Sequence, residues 1–285
     1  MARGAARPRG IIVSAIARHA THALIEEASL TPKPALVDGR GHGAHRDLSL
    51  SLLLHSAQVL EPYFTQIAET ARCHATDFHL REELGAIGRE AECAMLRVTN
   101  GINTHRGAIW ALGLLVAGAA QSETSNESEI CRRAAALAAI PDSARPTYIS
   151  NGLNVQTKYG ANGARAEAIA GFPHIINKGL PALRAALKEG KSETDARLYA
   201  LLTIMTTLED TCLLHRGGRA ALEAAQRGAA QVLACGGYST VEGKTAMKHL
   251  HENLMTLWAS PGGSADMLAS TLFVDRIHSA LERAR

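Results

Sequence analysis

Apolar residues recur three and four apart along most of this chain, and the stretches between them are rich in Gly, Pro and short polar side chains. That period stacks side chains on one face of a helix; the strict alternation of half-buried strands is not sustained anywhere. The pattern predicts a first helix over 11–29, stopped by Pro32 and Pro34, and a polar Gly-rich loop over 36–45. A helix opening at Leu48 breaks at Pro62, and another covers 79–99 and ends at Asn100-Gly101, a pair suited to a left-handed C-cap. Thr104 is placed to cap the helix that carries Ile109, Leu112 and Leu115. Residues 121–129 read as a polar surface segment, and 141–163 as the longest irregular stretch. Ser192 with Asp195 resembles a capping box opening a long apolar helix to about Leu214, ended by His215-Arg216-Gly217-Gly218. A helix to Cys235, one from Thr240 to Trp258, and a last one capped by Ser264 after the turn Ser260-Pro261-Gly262-Gly263 complete the reading.

The expected fold is therefore all-α: one compact domain over 11–285 of about ten to twelve helices, with Gly-rich loops forming one cleft. Residues 1–10 are expected to be a flexible N-terminal tail. They are basic and precede the apolar run Ile11–Ala17, which mimics a secretion signal, but helical spacing continues through Ala20, Leu24 and Ile25. The tripeptide His-Arg-Gly stands at 105–107 and 215–217 and is read as coincidence rather than as a repeat.

Composition adds that Ala and Leu, not aromatics (4%), must build the core. A chain of 285 residues buries roughly 75% of its unfolded surface and needs no staples. Its five cysteines form no CxxC pair, which argues for reduced thiols in a cytoplasmic protein rather than a zinc ribbon or disulfide framework. A net charge of +3 without a long basic stripe argues against nucleic acid as partner. No apolar run reaches the ~18 residues a membrane span needs.

Polar clusters interrupt the apolar helices. The first joins Lys33 and Asp38 to His45, Arg46 and Asp47 across a Gly-rich loop that can offer N–H groups to phosphate, with Lys33 and Arg46 adding charge and Asp47 a metal ligand. Glu90 and Glu92 lie two apart, so only one faces any site. Asn103, Thr104, His105 and Arg106 precede Gly107 at a helix start, where the dipole favours anions. Tyr159, Arg165 and Glu167 sit among Gly160, Gly163 and Gly171, in neither a Walker A nor a GxGxxG pattern, and Arg165 can pair with Glu167. Asp210, five residues before His215, can converge on it where the helix unwinds, with Arg216 beside them. Ser264 and Asp266 follow a Pro-Gly-Gly turn. Gly, Arg, His and carboxylates at helix boundaries suit a phosphate-rich, metal-assisted site.

Together these segments resemble the triphosphoribosyl-dephospho-CoA synthase family, most of all the branch serving malonate decarboxylase. The resemblance runs from Lys33 to about Ala269 through KPALVD with GAHRD, GREAECAML with GINTHRGAIWALGLL, YGANGARAEAIAGFP, LEDTCLLHRGG and SPGGSADMLA. It departs at Ala35 and Ala166, where the pattern has glycine. The resemblance implies attack by the ribose 2′-hydroxyl of 3′-dephospho-CoA on the adenine-bearing carbon of ATP, with inversion and loss of adenine. A separate transferase would then load the product onto an acyl-carrier subunit.

Such chemistry assigns Asp210 or Glu92 as base or stabiliser of sugar charge, and His105 and His215 as proton donors to adenine. Lys33, Arg46, Arg106, Arg165 and Arg216 would hold phosphates, with His45, Asn103, Thr104, Tyr159, Glu167 and Ser264 as further substrate contacts. Mg²⁺, carried by ATP, would meet Asp47 and Asp266. A homodimer is compatible with this reading. Two alternatives remain at this point: a non-catalytic helical adaptor for an acyl-carrier protein, and a metal-dependent ADP-ribosyl or nucleoside hydrolase.

Overall fold

Helix α5, Arg106–Gln121, is apolar on every side, and it became the centre of the protein for that reason. Each position from Ala108 to Ala119 except Trp110 is buried. A computed structural model describes residues 9–122, 126–144 and 151–282 of the chain. Around α5 pack α1 (Arg9–Ser29), α3 (Glu61–Cys73), α4 (Phe78–Val98), α6 (Glu127–Ala139) and α13 (Gly262–Glu282). Small residues set the spacing. A Cβ on Gly118 would press on Ile130 O at 2.5 Å, so α6 approaches α5 backbone to backbone. Helix α2 (Leu50–Val59) lies on α1 and α4. A second group stands beside this one: α9 (Leu180–Lys188), α10 (Glu193–Met205), α11 (Thr211–Ala234) and α12 (Val241–Thr256). Short α7 (Asn151–Tyr159) and α8 (Gly163–Ile169) rest on α11 and α6, and a π-helical turn, Ile175–Gly179, leads into α9. Among the described residues there is no strand, only one antiparallel bridge between Asp38 and Gly41. The all-α expectation holds, and no helix there is long and apolar enough to cross a membrane.

Several boundaries differ from the sequence reading, each for a local reason. The helix starting at Glu193 stops at Met205, and Thr206–Asp210 separates it from α11. The apolar run hid this break, because Leu208 packs on the core from non-helical backbone. His215-Arg216-Gly217-Gly218 lies inside α11 rather than ending it, with Gly218 at φ 65° and ψ −160° kinking the helix there. The supposedly irregular 141–163 contains α7; residues 145–150 of it lie outside the described residues, as do 1–8 of the expected tail. The helix foreseen from Leu48 begins at Leu50, capped by Ser49. Thr104 does not cap α5: Asn103 Oδ1 accepts the Arg106 N–H at 3.1 Å, while Thr104 Oγ1 is buried without a hydrogen-bond partner.

Candidate active site

Four chain segments meet where α5, α11 and α13 begin. Helix N-termini gather there, and their dipoles point positive into the same space. Asp210 joins two of them. It is the N-cap of α11, and its Oδ1 accepts from the N–H groups of Cys212 (2.9 Å) and Leu213 (3.3 Å). The same carboxylate reaches the start of α13, taking the Gly263 N–H at 3.2 Å, the Ser264 N–H at 2.7 Å and the Ser264 hydroxyl at 2.9 Å. Ser264 is thus not the cap of the last helix; Asp210 is. Burial raises the Asp210 pKa, and these hydrogen bonds oppose the rise.

Asp266, one turn into α13, is the contrasting carboxylate. Among the described residues no hydrogen bond reaches its oxygens, and it keeps partial solvent contact. Burial first, then the charges of Glu27 and Asp210, hold its pKa well above the ordinary carboxyl range. Gly107 faces it: a Cβ there would fall inside contact distance of Asp266 Oδ2. Burial, then the charges of Asp210 and Asp266, push the Cys212 thiol pKa upward.

Glu27 was not foreseen. It lies near the end of α1 and pairs with Lys33, whose ammonium donates to Glu27 Oε1 (2.6 Å) and Glu27 O (2.7 Å). Lys33 is 1% exposed, so it is a buried counter-ion rather than an open phosphate clamp. The signal for Glu27 was an acidic pair, Glu26-Glu27, at the end of a helix whose other charged side chains are basic. Asp38 orders the loop that follows, accepting from the Lys33 N–H (2.7 Å) and from Arg40 Nη2 (2.7 Å); these bonds offset burial and lower its pKa. Ala35 takes φ 54°, a backbone that glycine adopts freely and alanine does not, with its N–H held by His251 Nδ1 at 3.2 Å. Ala166, the other departure from the family pattern, lies within α8, where alanine is the better helix former.

The loop from Ala44 to Asp47 closes the site. His45 Nε2 meets Ser260 Oγ at 2.8 Å and its Nδ1 meets Arg216 Nη2 at 3.0 Å. A guanidinium only donates, so Nδ1 accepts and Nε2 carries the hydrogen. Burial, then the Arg216 charge, brings the His45 pKa down to about 4, consistent with a neutral ring. Arg216 also donates to Ala44 O at 3.0 Å, and the Arg46 guanidinium lies 4.6 Å from the Trp258 ring centroid. Asp47 is exposed at the rim.

Residues 13–284 match the family described as CitG, ATP:dephospho-CoA triphosphoribosyl transferase. The chain belongs to that family. The chain is 49% identical over 266 residues to the 2-(5''-triphosphoribosyl)-3'-dephosphocoenzyme-A synthase of Klebsiella pneumoniae, covering 93% of this chain and 95% of that one. It is 50% identical over 279 residues to a probable synthase of the same name from Pseudomonas paraeruginosa, covering 97% and 95%. Another from Azotobacter vinelandii is 50% identical over 277 residues, covering 96% and 95%. No solved structure matches. Family membership makes this chain an enzyme of the transferase class.

The family's motifs fall unevenly on the site. Asp210, Ser264, Asp266, His45, Arg216 and Gly107 come together. Arg106 stands beside them but is paired with Glu92 at 2.9 Å, both half-buried, so Glu92 and not the exposed Glu90 is the inward carboxylate. His105 is buried, and its Nε2 meets the Leu53 carbonyl at 3.0 Å, so that nitrogen donates and ties α5 to α2; burial lowers its pKa. His215 is exposed and does not meet Asp210, whose acceptor positions are filled by α11 and α13. Asn103 is exposed, its oxygen spent on the cap. Tyr159 lies over α11, its carbonyl taking Arg219 Nη2 at 3.1 Å and its hydroxyl facing Gly218. Glu167 does not pair with Arg165. It is buried, accepting the His174 N–H and meeting His174 Nδ1, each at 2.8 Å, while Arg165 is exposed and repels Arg81.

Proposed function

We propose that this chain joins the ribose 2′-hydroxyl of 3′-dephospho-CoA to the ribose carbon of ATP that bears adenine. A carbon–oxygen bond forms, the bond to adenine breaks, and the triphosphate stays on the transferred sugar. The observation that carries this reading is the meeting of Asp266, Asp210, His45 and Arg216 at three helix starts. Those groups answer the needs of the reaction: a proton acceptor for the hydroxyl, negative charge near a sugar carbon turning cationic, and cations for phosphate.

Asp266 is the better base. Its oxygens are free of hydrogen bonds, and burial, then the charges of Glu27 and Asp210, raise its proton affinity well above that of an ordinary carboxylate. Asp210, fixed by five N–H and O–H groups, suits the role of oriented negative charge. Arg216 and Arg46 flank the mouth and suit the triphosphate. A Mg²⁺ ion fits the hard carboxylate oxygens of Asp47, on the rim, and of Asp266, which the charges of Glu27 and Asp210 repel. When bound with ATP it would supply charge neutralisation at the phosphates. That same repelling cluster favours a second reading, in which Asp266 is a metal ligand.

The link to malonate decarboxylase is part of this proposal and rests on the motif resemblance. The test is chromatographic. Purified chain with Mg²⁺, ATP and 3′-dephospho-CoA is expected to release adenine one-for-one with a new nucleotide conjugate, and CoA, whose 3′-phosphate adjoins the attacking hydroxyl, is expected to fail. Release without dephospho-CoA would mean a hydrolase, and no release an adaptor. Asp266→Asn separates the two roles: lost turnover with intact Mg–ATP binding marks a base, and lost Mg–ATP binding marks a ligand. Subsequent loading of the product onto a malonate decarboxylase acyl carrier, in preference to a citrate lyase carrier, tests the pathway.

A further inference from the structure

A second polar cluster lies at the far end of α5 from the cleft. Helix α5 has 16 residues, which at about 1.5 Å of rise each separates the two ends by roughly 20 Å. There, in the corner between α3 and α4, His74, His79 and Glu83 bring one ligand atom each to within 4.8 Å of one another. His79 and Glu83 share one face of α4 at i,i+4, with His79 Nε2 3.2 Å from Glu83 Oε1. His74 comes from the end of α3, its Nδ1 3.9 Å from Glu83 Oε2 and its ring 5.7 Å from that of His79.

The corner is built for ligation rather than merely crowded. His74 Nδ1 lies 2.9 Å from the Thr70 carbonyl and donates to it, so Nε2, and not the Nδ1 that stands 3.9 Å from Glu83, is the nitrogen left to ligate. Metal-binding histidines are commonly oriented by such a bond from the other ring nitrogen. The backbone is held as well. Gln121 Nε2 donates to His74 O at 3.0 Å, Thr76 Oγ1 donates to Gln121 Oε1 at 3.0 Å, and Asp77 Oδ1 accepts the Leu80 N–H at 2.9 Å.

Two imidazoles and one carboxylate, open to water on one side, match a borderline cation such as Zn²⁺ and not Mg²⁺ or Ca²⁺, which take oxygen donors. We propose that His74, His79 and Glu83 form a zinc-class metal site that fastens the end of α3 to the start of α4. It is independent of the transferase cleft and of any Mg²⁺ brought by ATP.

Zn²⁺ alone, titrated calorimetrically into the full chain in the presence of excess Mg²⁺, tests this. The parent chain is expected to bind an equivalent that His79→Ala and Glu83→Gln each weaken about tenfold or more. Zn²⁺ is expected to raise the melting temperature of the parent and not of either variant. The metal-free melting temperatures should be alike, since His79 is exposed and Glu83 half-exposed. Equal Zn²⁺ binding by parent and variants, displacement of Zn²⁺ by Mg²⁺, or no bound equivalent would each overturn the assignment.

Discussion

Gly107 leaves empty the volume that the Asp266 carboxylate borders: a methyl at Gly107 would lie inside contact distance of Asp266 Oδ2. The first turn of α5 and the start of α13 can close on one another only because that side chain is missing. Gly107→Ala should therefore push Asp266 aside and cut adenine release about 100-fold, as small misplacements do. Stability should not fall by a similar measure, because alanine is favoured over glycine in a helix by about 1 kcal/mol. Adenine-release kinetics and a melting curve on the same preparation check both halves, and full turnover would remove this contact from the mechanism.

Asp266→Asn should abolish turnover and stabilise the fold. The neutral amide is nearly the same shape and removes the cost of burying a charge there, and with it the repulsion from Glu27 and Asp210, which together raise the Asp266 pKa. Each pKa unit so released corresponds to ~1.4 kcal/mol. Urea unfolding at pH 8, where the parent carboxyl is most charged, should show the gain; a loss would mean that Asp266 is held by attraction.

Lys33→Met should cost roughly 3–5 kcal/mol, because it leaves Glu27 buried without its counter-ion. The double variant Lys33→Met with Glu27→Leu should recover most of that in the same urea titration. Failure to recover would show that the loss does not come from an uncompensated Glu27 charge.

Acid should weaken the fold through His45 in a defined window. Its pKa lies near 4 in the native chain against 6.5 unfolded. Between those values the unfolded chain binds the extra proton, so stability falls as pH drops from about 6.5 to 4, by on the order of 2–3 kcal/mol for this ring. His45→Gln keeps a polar side chain without the titration and should flatten the profile by one proton, measured as the slope of unfolding free energy against pH. An unchanged slope would place the proton elsewhere.

What the sequence announced was local. Asn100 and Gly101 take φ 53° and 85° where a C-cap was expected, Thr240 caps α12, and Pro62 stands in the first turn of α3. What it concealed was long-range. The Asp210–Ser264 bonds span 54 residues, and nothing near Asp210 hints that its second partner is a distant helix. Lys33 looked like an open cation because its partner, Glu27, lies in a preceding helix that reads as plain amphipathic surface. His105 and His215 share a tripeptide, yet one is buried and the other exposed, since only the first precedes a helix buried on all sides. Chemistry-bearing residue types were visible; which of them were already spent on neighbours was not.

One carboxylate that starts two helices also makes them a single unit of motion. The amides of Cys212, Leu213, Gly263 and Ser264 cannot be released separately while Asp210 stays in place, so α11 and α13 should fray together and their first-turn amides should exchange with deuterium at a common rate. The groups proposed for catalysis at those ends would then be present or absent as a set, with no half-assembled site to misuse ATP.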